Sequence, residues 1–136
     1  MTDARLRSIS AALALAGAVV AGYLLYARTT GSAIACPTGG CEVVQSSRYS
    51  EIFGVPVALF GLAGFVALFA TSIAKGDHAR LMHVALALTA AAFTAYLLYL
   101  QGAVIGAFCA WCLAADVLAS AIAALALVRV LSGARA

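Results

Sequence analysis

Charged residues are scarce in this sequence. Only 10% of its 136 residues are Asp, Glu, Lys or Arg, whereas 65% are apolar. A water-soluble domain usually carries about 25% charged residues, because its surface must be hydrated. The composition therefore excludes an ordinary soluble domain and indicates that a lipid bilayer surrounds most of the surface. The net charge is only +3 and the basic residues lie near segment ends, a pattern that predicts no nucleic-acid partner.

Charged side chains are also missing from three long apolar runs. A helix needs about 20 apolar residues to cross a bilayer. Four stretches meet this length, and we expect transmembrane helices at approximately 8–27, 55–74, 81–100 and 108–131. The fourth stretch contains Asp116. The sequence therefore predicts an all-α membrane protein in which residues 1–136 form a single domain, a four-transmembrane-helix bundle.

The first apolar run has an alternative interpretation as a secretory signal. Residues 33–35, Ala-Ile-Ala, imitate a small-residue cleavage site. The run is longer than a typical signal core, and Arg28 and several polar residues separate it from that site. Both observations favour a retained first helix.

Lys and Arg are distributed unequally between the two ends of the predicted helices. If the N-terminus lies inside, six basic residues are inner and two are outer. Because basic residues stay on the inner side, this predicts an inner cell membrane protein with both termini inside. The inner set is Arg5, Arg7, Lys75, Arg80, Arg129 and Arg135, and the outer set is Arg28 and Arg48. An outer aromatic belt agrees with this orientation, comprising Tyr23, Tyr26, Tyr96, Tyr99, Phe108 and Trp111.

The first outer connection, residues 28–54, is the long one. Loops of more than about 12–15 residues in a compact domain are usually functional or disordered. Residues 46–53 at its end are compatible with a short horizontal helix on the membrane, with Tyr49, Ile52 and Phe53 facing the lipid. An irregular polar loop is the alternative.

Four cysteines form two pairs, and the predicted topology places both at the outer, oxidising face. Cys109 and Cys112 have the spacing of a redox dithiol at the start of the fourth helix. Residues three apart share a helix face, and a helix N-terminus stabilises a thiolate. Cys36 and Cys41 flank a Pro-Thr-Gly-Gly turn in the long loop. A structural staple is one interpretation of this pair, but its small ring favours reversible exchange with the other pair.

Two other function classes remain open. Four cysteines are able to bind a metal such as zinc, although no zinc-ribbon spacing links the pairs. A c-type haem is disfavoured because Leu113, not His, follows Cys112. A small four-helix membrane transporter would use Asp116 in a substrate path, yet it has no need for paired outer cysteines.

The order of these motifs resembles the vitamin K epoxide reductase family along nearly the whole chain. The matching features are the loop pair, the Ser-Ser-Arg-Tyr run at 46–49, the Gly-Val-Pro entry at 54–56, and the Cys-Ala-Trp-Cys motif at 109–112. A related class of four-helix disulfide oxidases carries its two pairs in the opposite order. The spacing within the loop is shorter than in the animal enzymes of the family.

The resemblance implies a bundle around a quinone of the menaquinone, ubiquinone or phylloquinone type. Cys109 and Cys112 would be the active-site pair, with Cys112 next to the quinone, and Cys36 and Cys41 would be the shuttle pair. The loop residue Ser47 matches a family position near the active site. Microbial members of the family oxidise a thioredoxin-fold partner, which implies a separate DsbA-like protein here.

Two residues of the fourth helix complete the expected site. Asp116 lies four residues after Cys112 and so shares its helix face. An ionisable group at that depth in a membrane is a functional-site hypothesis by default. We expect Asp116 and Trp111, with Ser47, to contribute to quinone binding. The sequence thus predicts an enzyme, a quinone-dependent thiol–disulfide oxidoreductase that supports disulfide-bond formation.

Overall fold

The computed structural model describes residues 3–31 and 51–135 of the chain. In this part of the chain, four α-helices account for most of the structure. A small hairpin precedes the second helix, and a π-helical turn extends the third. In chain order the elements are α1 (Asp3–Thr30), β1 (Glu51–Ile52), β2 (Val55–Pro56), α2 (Val57–Ile73), α3 (Asp77–Tyr99), the π-helical turn (Leu100–Ile105) and α4 (Ala110–Arg135).

The helices coincide with the four predicted transmembrane segments. Three are long and apolar enough to cross a membrane: Asp3–Thr30, Asp77–Ile105 and Ala110–Leu131. The second helix has only 17 residues and starts two residues later than predicted. The reason is that Val55 and Pro56 pair with β1 and are not available to the helix.

Each helix packs against two others, so that the four form a closed ring. Helix α1 contacts α2 and α4, and α3 contacts the same two helices from the other side. Small residues dominate the shared core, which lets helix backbones approach closely in a bilayer. At Gly17 of α1, an added Cβ would lie 2.3 Å from the ring of Phe65 in α2. Gly17 and the alanines of the core therefore serve helix packing.

The outward surface of the ring is apolar. Val19, Leu81 and Val117, on three different helices, are 66%, 69% and 67% exposed. A soluble protein rarely leaves so much large apolar surface open to water. Lipid chains are the environment that this surface fits, as expected of a multi-pass membrane protein.

The hairpin corrects one prediction. Residues 51–53 were expected to end a horizontal helix, but Glu51–Ile52 forms a strand antiparallel to Val55–Pro56. Phe53 and Gly54 have φ angles of 53° and 79°, and two positive φ angles define the tight turn favoured in two-residue hairpins. Glu51 forms an ion pair with Arg28, which fastens the hairpin to the end of α1. The rest of the predicted horizontal helix, residues 46–50, lies outside the described residues.

Candidate functional site

Cys109 occupies the position just before the first turn of α4. Its carbonyl accepts the N–H of Leu113 at 2.9 Å, the first i to i+4 hydrogen bond of the helix. Its Sγ accepts the N–H of Cys112 at 3.4 Å. This is the geometry of an N-cap residue, with sulfur in place of the usual side-chain oxygen. A thiolate at Cys109 would therefore be stabilised by a backbone N–H and by the positive end of the helix dipole.

Gln101 holds Cys109 from the other side. The Gln101 side chain is only 2% exposed, and its Oε1 accepts the Cys109 N–H at 2.9 Å. The backbone carbonyl of Gln101 also accepts hydrogen bonds from the N–H groups of Gly106 and Ala107, at 2.9 and 3.1 Å. Gly106 has a φ of 76°, a left-handed conformation that glycine adopts without steric cost. The link between α3 and α4 is thus held by three hydrogen bonds to Gln101, which also cap the start of α4.

The role of Gln101 was not predicted from the sequence. The available signal was a lone amide side chain at the end of an apolar run, eight residues before a candidate helix N-terminus. Such a side chain has to find a hydrogen-bond partner when it is buried, and an uncapped helix start supplies one.

Apolar and aromatic residues from other helices surround the cysteine pair. Cys109 is fully buried in a small cluster with Leu24 of α1, while Cys112 is half-buried at its edge. Trp111 lies against Tyr23 of α1, with ring centroids 4.9 Å apart and planes at 53°. The predicted cofactor-binding residue Trp111 therefore lies in the contact between α1 and the start of α4.

Asp116 lies farther along the same face of α4. It is 3% exposed, and its Oδ2 has no hydrogen-bond partner among the described residues. Seven residues separate it from Cys109 and four from Cys112, spacings that place all three side chains on one side of the helix. A buried carboxyl group with an unpaired oxygen is costly, so this atom points to chemistry beyond helix packing.

Three predicted site residues lie outside the described part of the chain: Cys36, Cys41 and Ser47. Their proximity to the Cys109 pair stays a prediction. Within residues 3–31 and 51–135, no three His, Cys, Asp or Glu side chains are grouped closely enough to hold a metal ion.

The chain matches a model of the vitamin K epoxide reductase family over residues 8–127. This match includes α2 and α3, most of α1 and α4, and both cysteine pairs. The chain belongs to the vitamin K epoxide reductase family. The resemblance inferred from motif order is therefore confirmed.

The chain is also similar to the thiol-disulfide oxidoreductase LTO1 of Arabidopsis thaliana. The two sequences are 31% identical over 104 residues, which cover 67% of this chain. The chain spans only 28% of the length of that relative. The likeness therefore concerns one portion of the plant protein.

The hydrogen bond from Cys109 to Gln101 leads to a stability prediction for this family member. Gln101→Met keeps the length of the side chain but removes the acceptor of the buried Cys109 N–H. An unsatisfied buried donor costs about 1–3 kcal/mol, so the variant should unfold at a lower temperature in detergent. Iodoacetamide should also modify Cys109 faster, because the first turn of α4 opens more often. Thermal unfolding and mass-mapped alkylation would measure the two effects.

Thr89→Val is the matched control. It removes a hydroxyl on the exposed face of α3 whose one hydrogen bond among the described residues is to the carbonyl of Ala85 in its own helix. The control should change neither quantity by much. Equal unfolding temperatures and equal alkylation rates for the two variants would contradict the capping role of Gln101.

Proposed function

We propose that this protein is a quinone-dependent thiol–disulfide oxidoreductase. Electrons enter from a separate thioredoxin-fold, DsbA-like partner through Cys36 and Cys41, pass to Cys109 and Cys112, and leave to a membrane quinone. The observation that carries the proposal is the position of Cys109 as the sulfur N-cap of α4. Membership of the vitamin K epoxide reductase family and the printed activity of the plant relative support the same chemistry.

The cap geometry matters because disulfide exchange proceeds through a thiolate. When the Cys109–Cys112 disulfide is attacked at Cys112, Cys109 is the leaving group; when it is attacked at Cys109, Cys112 leaves. A sulfur that accepts a backbone N–H at a helix N-terminus carries negative charge at low cost. Because Cys109 is fully buried, an attacking thiolate reaches it only when the packing around it opens locally.

Exchange conserves electrons at each step. A partner thiolate attacks the Cys36–Cys41 disulfide, and the partner leaves oxidised while the loop pair becomes a dithiol. The loop dithiol then reduces the Cys109–Cys112 disulfide through a mixed disulfide, and the loop disulfide is restored. Two electrons and two protons have then moved from the partner to the Cys109 pair, which has to be reoxidised before the next cycle.

The residues around Cys112 fit a quinone. Such a ring is apolar and flat but carries polar oxygens, and the site combines the Trp111–Tyr23 aromatic wall with the unpaired Oδ2 of Asp116. A bound quinone supplies an acceptor for two electrons and two protons. Trp111 would line its face, Asp116 would hold or release a proton at Oδ2, and Ser47 of the loop would complete the pocket. The menaquinone, ubiquinone and phylloquinone types are all compatible with these groups.

The proposed setting is the inner cell membrane, with both termini inside and the cysteines outside. The basic residues of the predicted inner set support this orientation. Four of them, Arg7, Lys75, Arg80 and Arg129, lie around one cavity at the end of the bundle away from Cys109. An oxidising outer face is also where a DsbA-like partner and newly formed disulfides persist.

The order of the relay is testable by trapping. Cys109 is nearer the helix end and Cys112 lies one turn deeper, so Cys109 should meet the loop and Cys112 the quinone. Cys41 leads back to the membrane, so it should bridge to Cys109, and Cys36 should receive the partner. Cys112→Ser prevents the Cys109–Cys112 disulfide from closing and leaves Cys109 to exchange only with the loop, so a Cys41–Cys109 bridge should accumulate within one chain. Cys41→Ser should instead accumulate a Cys36–partner complex.

Peptide mass mapping of the trapped species distinguishes the alternatives. A dominant Cys36–Cys109 bridge would reverse the roles of the two loop cysteines. The absence of any bridge between the pairs in either variant would count against the relay itself.

Asp116 should handle protons in the same reaction. Asp116→Asn keeps the size of the side chain but removes its acid–base function, so quinone reduction should slow by about 100-fold or more and its pH dependence should change. Ser120→Ala is the control, because the Ser120 hydroxyl donates to the backbone carbonyl of Asp116 and its loss leaves the carboxyl group in place. Turnover is followed by quinone absorbance across pH. Unchanged turnover of Asp116→Asn at every pH would leave only a structural role.

A further inference from the structure

The end of the bundle away from the cysteine pair contains a charged cavity. Its volume is about 270 Å³, and it lies where α1 begins, α2 ends and α3 begins. Four cations and two carboxylates line it, so its walls carry a net charge of +2. The cations are Arg7, Lys75, Arg80 and Arg129, and the carboxylates are Asp3 and Asp77.

Arg129 is the buried member of this group. Its side chain is 5% exposed, and its Nε donates to Oδ1 of Asp3 at 2.9 Å. Its Nη1 is also buried but has no hydrogen-bond partner among the described residues. A buried guanidinium with an unused donor is costly, so an anionic acceptor beside Arg129 would lower the energy of the folded protein.

The backbone around the cavity also favours an anion. Helix α3 starts at Asp77 after Gly76 without any side-chain cap, and both residues line the cavity. The first N–H groups of an uncapped helix attract negative charge. The opposing carbonyls at the end of α2 would repel it, but Arg7 covers them by donating to Ser72, at 3.0 Å, and to Ile73, at 2.8 Å.

The surroundings of the cavity indicate where the anion comes from. Leu81 and Leu131, close in sequence to Arg80 and Arg129, are 69% and 61% exposed apolar side chains. Basic side chains beside a lipid-facing apolar surface match the boundary between headgroups and acyl chains. A soluble phosphate ion has no apolar group that would contact the exposed leucines, whereas a phospholipid has both a phosphate and acyl chains.

We propose that this cavity binds the phosphate group of an anionic phospholipid. Arg129 and Arg7 form its base, Lys75 and Arg80 contact the phosphate from the rim, and the lipid chains lie along the exposed faces of α3 and α4. The lipid would join the start of α1 to α3 and α4 at the end of the bundle away from Cys109. This inference is independent of the redox function.

The proposal is tested with the full chain in neutral detergent, by native mass spectrometry and thermal unfolding. Phosphatidylglycerol should be retained and should raise the unfolding temperature, whereas phosphatidylcholine or sodium phosphate should not. Lys75→Gln and Arg80→Gln, both at the rim, should each weaken phosphatidylglycerol binding about fivefold, the effect of one basic residue near an anionic lipid. Arg129→Gln should weaken it more, but this variant also loses the contact with Asp3.

Arg5→Gln is the matched control. Arg5 lies at the same end of α1 and is exposed, but it does not line the cavity. The site is supported if the rim variants lose lipid while Arg5→Gln retains it. Equal losses in all three variants would reduce the effect to general surface attraction and overturn the site. Equal stabilisation by sodium phosphate would overturn the lipid as its occupant.

Discussion

Backbone polar groups cannot stay unpaired inside a bilayer, because no water is available there to bond with them. This constraint also applies where α3 ends and α4 begins, because Gln101 and Cys109 are buried there. The chain meets it with Gln101, which accepts two N–H groups through its carbonyl and a third, that of Cys109, through its side chain. The sulfur of Cys109 accepts a fourth, from Cys112. Cys109, the proposed redox residue, therefore also has a structural role.

The coupling of these two roles explains why the site is built on a helix start. A thiol in the middle of an apolar helix would be inert, because nothing there stabilises its thiolate. At the first turn of α4, the backbone N–H groups lack partners within the helix. The Cys109 sulfur accepts a hydrogen bond from one of them, and that hydrogen bond stabilises negative charge on the sulfur. The aromatic contact between Trp111 and Tyr23 ties this turn to α1, so that the position of the pair depends on the packing of the bundle.

The two ends of the bundle differ in the charge of their buried groups. Around Cys109 the groups are uncharged, and the unpaired buried carboxyl oxygen is on Asp116. At the other end charges gather, and the ion pair between Asp3 and Arg129 joins the first helix to the last. Such a separation is compatible with the electron transfer proposed for one end and the lipid headgroup proposed for the other.

Much of this architecture was predictable from the sequence, because apolar length and basic residues at segment ends follow directly from bilayer thickness. The features predicted in this way are the four spans, the Cys109–Cys112 pair at a helix start and the position of Asp116 inside the bundle. The hairpin at Glu51–Ile52 and the cap by Gln101 do not, since each depends on a local pairing that hydropathy does not encode. The short α2 has the same origin, because the hairpin takes its first two residues. The positions of Cys36, Cys41 and Ser47 relative to the site stay predictions.

The most direct test of the central claim is a single turnover assay with the purified full chain. A reduced thioredoxin-fold dithiol is added together with a water-dispersible quinone, and quinone absorbance is followed with time. We predict the loss of two partner thiols for each quinone reduced, and no such reaction in Cys109→Ser or in Cys112→Ser. Quinone reduction that persists without both of these thiols, or oxidation of the partner with no quinone consumed, would contradict it.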